Sequence, residues 1–152
     1  MPRLSFRDAK PEDLPFIVGL YVEDSVVETS DDPARANDAP YLDALAAIDA
    51  DANQRLLVAE LDGERVGTIQ LTFVPGINRR GMWRGLIEGV HISAAHRGKG
   101  LGGEMIGWAM EQCRARGCGM AQLTSNKKRL DAHRFYERLG WKKSHEGFKY
   151  YF

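Results

Sequence analysis

The residues with the clearest chemical use lie in one stretch, His96-Arg97-Gly98-Lys99-Gly100-Leu101-Gly102-Gly103. An apolar run, Leu86-Ile87-Glu88-Gly89-Val90-His91-Ile92, precedes it, and a segment of helical periodicity follows. A strand that turns through glycines into a helix start builds an anion site. The first N–H groups of a helix have no partner within it, and the helix dipole places partial positive charge there. Glycine lets a bulky phosphate approach the bare backbone. Residues 97 to 103 are therefore expected to hold a phosphorylated ligand.

Several phosphate motifs compete for this stretch. Gly98, Gly100 and Gly103 match G-x-G-x-x-G, but a dinucleotide fold also wants an acidic residue roughly 20 positions on. Residues 118 to 122 read Cys-Gly-Met-Ala-Gln, with no acid. A Walker loop needs Ser or Thr after Gly-Lys, and here Gly100 follows Gly98-Lys99. A purely structural turn is the remaining alternative, at the cost of ordering several glycines. Elsewhere the chemistry-bearing side chains are sparse. Cys113 and Cys118 make no disulfide framework and, with no second cysteine pair nearby, no zinc site. No histidines or carboxylates are spaced as metal ligands, so no metal is expected.

The elements that must position this turn can be read along the chain. Residues 3 to 8 alternate weakly and predict a first strand. Pro11-Glu12-Asp13 opens a helix with proline and acids in its first turn, and Leu14, Ile17, Val18 and Tyr21 form its apolar stripe. A polar loop over 28 to 40 leads to a second helix over about 40 to 50. Gln54 to Leu61 and Glu64 to Val74 read as strands joined by the hairpin signal Asp62-Gly63. A connector over 75 to 84 carries Arg79, Arg80 and Arg84, and the strand Leu86 to Ile92 follows. Leu101, Met105, Trp108, Ala109 and Cys113 line the next helix, which Gly117 and Gly119 end. Met120 to Ser125 predicts a short strand. Ala132, Phe135, Tyr136 and Leu139 predict a helix closed by Gly140. Trp141 to Ser144 and Phe148 to Phe152 read as a late aromatic hairpin. This order is neither strict strand–helix alternation nor all-β, which gives a mixed α+β class.

The whole chain sets further limits. Its 152 residues suit one domain over 1–152. Lys and Arg number 21, as do Asp and Glu. That balance argues against a general nucleic-acid or membrane-surface binder. No apolar run approaches the roughly 20 residues of a membrane span. The opening residues carry no apolar secretion-signal core, and with two cysteines the expected setting is cytoplasmic.

Arg97-Gly98-Lys99-Gly100-Leu101-Gly102 resembles the R/Q-x-x-G-x-G/A signature of the GNAT acetyltransferase superfamily. Ile87 to Ser93 is similar to the strand that precedes the signature there. Leu123-Thr124-Ser125-Asn126 looks like the end of the family's next strand. Ala132-His133-Arg134-Phe135-Tyr136-Glu137-Arg138-Leu139-Gly140-Trp141 resembles its A-x-x-F-Y-x-x-x-G-[FW] segment. The specific match covers about residues 86 to 141. The resemblance implies a mixed, mostly antiparallel sheet of about six to seven strands with about four helices packed on it. Two parallel strands would splay apart at the cofactor site.

The resemblance also implies roles. The backbone of Arg97, Gly98, Lys99, Gly100, Leu101 and Gly102 would hold the pyrophosphate of acetyl-coenzyme A. Arg97 and Lys99 would add charge, unless they are solvated surface. Main-chain groups of the preceding strand, over Val90, His91 and Ile92, would meet the pantetheine arm, and Gly89 fits the bulge that splays the strands. Asn126 would lie near the pantetheine, or it is a turn cap. Tyr136 would protonate the departing sulfur as a general acid with an ordinary phenol pKa of about 10. Otherwise it is a core tyrosine like Phe135. Glu88 would take the proton from the amine, directly or through water, and its apolar flanks predict partial burial and a raised pKa. Its alternatives are a polar outer-face residue or one that orients substrate. His91 is the rival base, and regular alternation puts it on the face opposite Glu88 unless a bulge intervenes.

The expected activity is transfer of acetyl from acetyl-coenzyme A to an amine by direct attack in a ternary complex, with neither cysteine as nucleophile. The acceptor is expected to be a small molecule. The alternatives are a peptide or protein acceptor and a non-catalytic coenzyme A-binding regulatory module. Arg79, Arg80 and Arg84 hint at an acidic group on the acceptor, against the plainer reading of a solvated loop. Met82 and Trp83 are candidates for a pocket lining or for a homodimer contact.

Overall fold

The computed structural model describes residues 2–152, which fall into two compact units, one ending at Gln122 and the other running from Leu123 to Phe152. The first unit carries a five-stranded sheet in the order β1-β2-β3-β4-β5, formed by β1 (Leu4–Asp8), β2 (Gln54–Leu61), β3 (Glu64–Val74), β4 (Arg84–Ile92) and β5 (Met120–Gln122). The first three pairings are antiparallel and β4–β5 is parallel. The hairpin between β2 and β3 turns at Asp62 and Gly63, both with positive φ (51° and 81°), so that Leu61 pairs with Glu64. This is the geometry an Asp-Gly pair favours.

Both faces of the sheet are covered, so β2 and β3 are apolar along most of their length rather than strictly alternating. On one face lie α1 (Leu14–Glu23) and α2 (Ala39–Asp49), with Ile17, Val18 and Leu45 buried in one cluster with Leu56 and Val58 of β2. On the other, α4 (Leu101–Ala115) buries Leu101, Met105, Ile106, Ala109 and Cys113. Its Trp108 stacks on Phe6 of β1 with ring centroids 4.0 Å apart. Between β3 and β4, α3 (Asn78–Gly81) is a single turn whose Arg79 and Arg80 are left-handed.

Asp13, read from sequence only as a first-turn acid, is 1 % exposed and locks this unit together. Arg7 of β1 donates to both its oxygens at 2.7 and 2.9 Å, Arg65 of β3 donates at 3.2 Å, and the Lys10 N–H at 2.8 Å. The Arg7 hydrogen bond, opposed by burial, brings the Asp13 carboxyl down to about 2.

The second unit contains α5 (Leu130–Arg138) followed by chain without regular structure. The aromatic hairpin expected over 141–152 is absent, which is why the described sheet has five strands instead of six to seven. The two aromatic runs are separated by His145-Glu146-Gly147 with no tight-turn pair to fix a register, and a lone two-stranded hairpin is marginal in water. Phe148, Tyr150, Tyr151 and Phe152 are exposed. Among the described residues no helix is long and apolar enough to cross a membrane.

Candidate active site

β4 is where the first unit departs from regular geometry. Thr68 pairs with His91 and Gln70 with Glu88, so Ile69 of β3 stands opposite two residues of β4, Gly89 and Val90. This is a β-bulge, and Gly89 accommodates it with φ of 58°. The bulge changes which side chains share a face. Thr68 and Gln70 are two apart and lie on one face, so their partners His91 and Glu88 lie on it together. Glu88 is exposed. The partial burial predicted from its flanks is therefore corrected: the notch made by the bulge leaves the side chain open. His91 is 14 % exposed, with Nδ1 3.7 Å from Asp24 Oδ2 at the end of α1.

The parallel pairing of β4 with β5 covers only Arg84–Leu86 against Met120–Gln122. From Ile87 to Ile92 that edge of β4 has no strand beside it among the described residues, which leaves backbone groups available to an extended ligand. β4 then runs through Ser93 into the glycine turn. Gly98 and Gly100 have φ of 77° and 78°, and Gly100 is the residue that enters α4, with no side chain capping the helix. The turn is exposed from Arg97 to Gly100, whereas the Leu101 side chain is 1 % exposed, so only its backbone can face a ligand. Arg97 turns its guanidinium inward: Nε donates to Ile92 O at 3.1 Å, and Nη2 lies 3.5 Å from Glu23 and 3.7 Å from Asp24. Its charge braces the turn against α1.

The sequence reading missed the groups that α1 and the following loop bring to this face. Tyr21, read as one member of an apolar stripe, packs over Gly89 and meets His91 with ring centroids 5.3 Å apart. Burial pushes its phenol up to about 12, with Asp31 and Glu88 adding to the effect. Tyr41 donates to Asp31 Oδ1 at 2.8 Å and accepts from the Asp32 N–H at 3.2 Å. Tyr41, Asp31 and Asp32 line a cleft of about 370 Å³ with Ser30, Arg35, Asp38 and Pro40. Nothing in the local sequence marks Tyr21 as more than a core residue, because only the sheet register places Glu88 and His91 under it.

In the second unit, burial raises the Tyr136 phenol above its ordinary value, against a smaller lowering by Arg129. Its ring packs edge-on to Phe135 at 5.1 Å and to Trp141 at 6.0 Å. Asn126 acts as a turn cap, its Oδ1 accepting from the Lys128 N–H at 2.9 Å. The His133 ring bonds to Asn126 O at 2.9 Å, which ties it to the same turn.

Burial pushes both cysteine thiols up, which disfavours a thiolate. Among the described residues no three or more His, Cys, Asp or Glu side chains converge as metal ligands would.

Comparison with known proteins gives a consistent picture. Residues 14–141 match the model of the Acetyltransferase (GNAT) family. The chain is 36% identical over 105 residues to aminoalkylphosphonate N-acetyltransferase of Salmonella typhimurium strain LT2, covering 69% of this chain and 68% of that protein. Among solved structures it is similar to a transcriptional regulator from Bacillus halodurans C-125, with a TM-score of 0.91, 40% identity, and 98% and 99% of the two chains covered. It is also similar to a putative acetyltransferase from Agrobacterium tumefaciens strain C58, with a TM-score of 0.75, 28% identity, and 97% and 99% covered.

Proposed function

The chain belongs to the GNAT acetyltransferase family, and we propose that it transfers the acetyl group of acetyl-coenzyme A to the amine of a small molecule, an aminoalkylphosphonate being the first to test. The observation that carries this reading is the bulge at Gly89, which puts Glu88 and His91 on one face immediately before the glycine turn. Two features of the first unit fit the cofactor. The uncapped start of α4 after Gly98 and Gly100 suits a pyrophosphate, held by the backbone of Arg97 to Gly102. The open edge of β4 suits the amide-bearing pantetheine arm, met by backbone groups over Val90, His91 and Ile92.

When bound, acetyl-coenzyme A supplies the acetyl group as a thioester. The residues of this chain do the rest. Glu88, exposed on this face, takes a proton from the acceptor's ammonium so that the nitrogen lone pair can attack. A backbone N–H over Val90 to Ile92 stabilises negative charge as it develops on the carbonyl oxygen. Tyr136, kept protonated by its raised pKa, gives its proton to the sulfur as the C–S bond breaks, and the second proton shed by the acetylated nitrogen restores the phenol. Asn126, which caps its turn, is assigned to the pantetheine by its resemblance to the family's motif. Arg79, Arg80 and Arg84 are the basic groups offered to an acidic substituent of the acceptor.

Initial rates with acetyl-coenzyme A and 2-aminoethylphosphonate, varied together, test this. The reading predicts intersecting double-reciprocal lines and no acetylated protein by intact mass. Parallel lines with an acetyl-protein adduct would contradict direct attack. A second reading, a coenzyme A-responsive regulatory module, is favoured by the description of the 40%-identical relative as a transcriptional regulator. It predicts coenzyme A binding without turnover across a broad panel of amines.

A further inference from the structure

The proposed reaction leaves the Tyr21 hydroxyl without a task. A Cβ built on Gly89 would stand 3.6 Å from that oxygen and 3.7 Å from a ring carbon, so the phenol lies directly on the notch made by the bulge. Its neighbour Tyr41 is committed to Asp31 and Asp32, whereas among the described residues the Tyr21 hydroxyl has no hydrogen bond of that kind. A packing role on Gly89 and His91 needs only the ring and leaves the hydroxyl unaccounted for. Two carboxylates, Asp31 and Glu88, act on the phenol, while Asp24 beside His91 is paired with Arg97. Burial keeps the phenol neutral at any pH at which a primary amine is bound as ammonium. It therefore offers an oxygen lone pair among carboxylates, the environment an ammonium ion favours.

We propose that Tyr21 is an acceptor-binding residue, whose hydroxyl oxygen accepts a hydrogen bond from the acceptor's ammonium and holds that nitrogen beside Glu88 above the Gly89 notch. The proposal rests on the acetyl-transfer reading and assigns its acceptor a cationic amine end.

Tyr21→Phe tests it, because the ring that packs on Gly89 and His91 is retained. Steady-state rates with 2-aminoethylphosphonate, coenzyme A binding by calorimetry, and the melting temperature are compared with the unaltered protein. The expected result is a fall of about ten- to a hundredfold in kcat/KM for the amine, the size of a hydrogen bond to a charged group. Coenzyme A affinity and melting temperature stay unchanged. An unchanged kcat/KM overturns the proposal. A loss matched by weaker coenzyme A binding or a lower melting temperature also overturns it, by making the hydroxyl structural. If the unaltered protein releases no coenzyme A with this amine or any other, the acetyl-transfer reading and this proposal fall together. If it turns over and Tyr21→Phe matches it, the proposal falls alone.

Discussion

Replacing Glu88 with glutamine keeps the shape of the side chain and removes its capacity to accept a proton. If Glu88 is the base, kcat/KM for the amine falls about a hundredfold and the acidic limb of its pH profile flattens. An intact limb would pass the role to His91 or to water, since the bulge sets His91 on the same face. Tyr136 makes the complementary case. Its raised pKa keeps it a proton donor through neutral and mildly basic pH. Tyr136→Phe is expected to lower kcat by about a hundredfold and to leave KM for the amine unchanged, as measured under acetyl-coenzyme A saturation. An unchanged kcat removes Tyr136 from acid catalysis. Both residues are candidates from the sequence alone, Tyr136 within its F-Y segment and Glu88 on the strand before the glycine turn. Tyr21 is not, since its neighbours come from β4, about seventy residues on.

The glycine turn acts as an element, through its backbone. Gly100 holds φ of 78°, and a Cβ there would lie 3.4 Å from the Arg3 guanidinium. A left-handed alanine costs about 1–2 kcal/mol, and relief of that strain would tilt the first N–H groups of α4. Gly100→Ala is therefore expected to weaken acetyl-coenzyme A binding about tenfold, read by calorimetry. Unaltered affinity would mean that this turn does not hold the ligand. Elements with strong local signals were legible to the residue: Asp62-Gly63 fixes a two-residue turn, and β2 and β3 run over the predicted spans. The bulge could only be suspected, because Gly89 permits it while the register with β3 creates it. The late hairpin was misread from aromatic content alone, since a strand is defined by a partner and not by its propensity. The helix predicted at Pro11 begins as a 3-10 turn over Pro11–Asp13, with α1 starting at Leu14.

At the scale of the whole molecule, stability at low pH depends on Asp13. Its carboxyl pKa is about 2 in the folded protein, below the ordinary 3.8. The stabilisation is complete above pH 4 and is lost as pH falls toward 2, a difference of about 2 kcal/mol. Asp13→Asn should lower the melting temperature at pH 7 and flatten its decline between pH 4 and 2, as followed by circular dichroism. A variant that declines as steeply as the unaltered protein would assign acid sensitivity elsewhere. The equal numbers of acidic and basic residues give no net charge to steer a ligand, so on the Tyr21 proposal selection of a cationic amine falls to Glu88 and Asp31 beside the phenol.

The most direct test of acetyl transfer is to incubate the protein with acetyl-coenzyme A and 2-aminoethylphosphonate, then quantify free coenzyme A thiol and N-acetylated amine in the same samples. The predicted result is equal amounts of both, accumulating only when protein and amine are present together. Thiol release no faster than without amine, with this acceptor and across a panel of small amines, would contradict it.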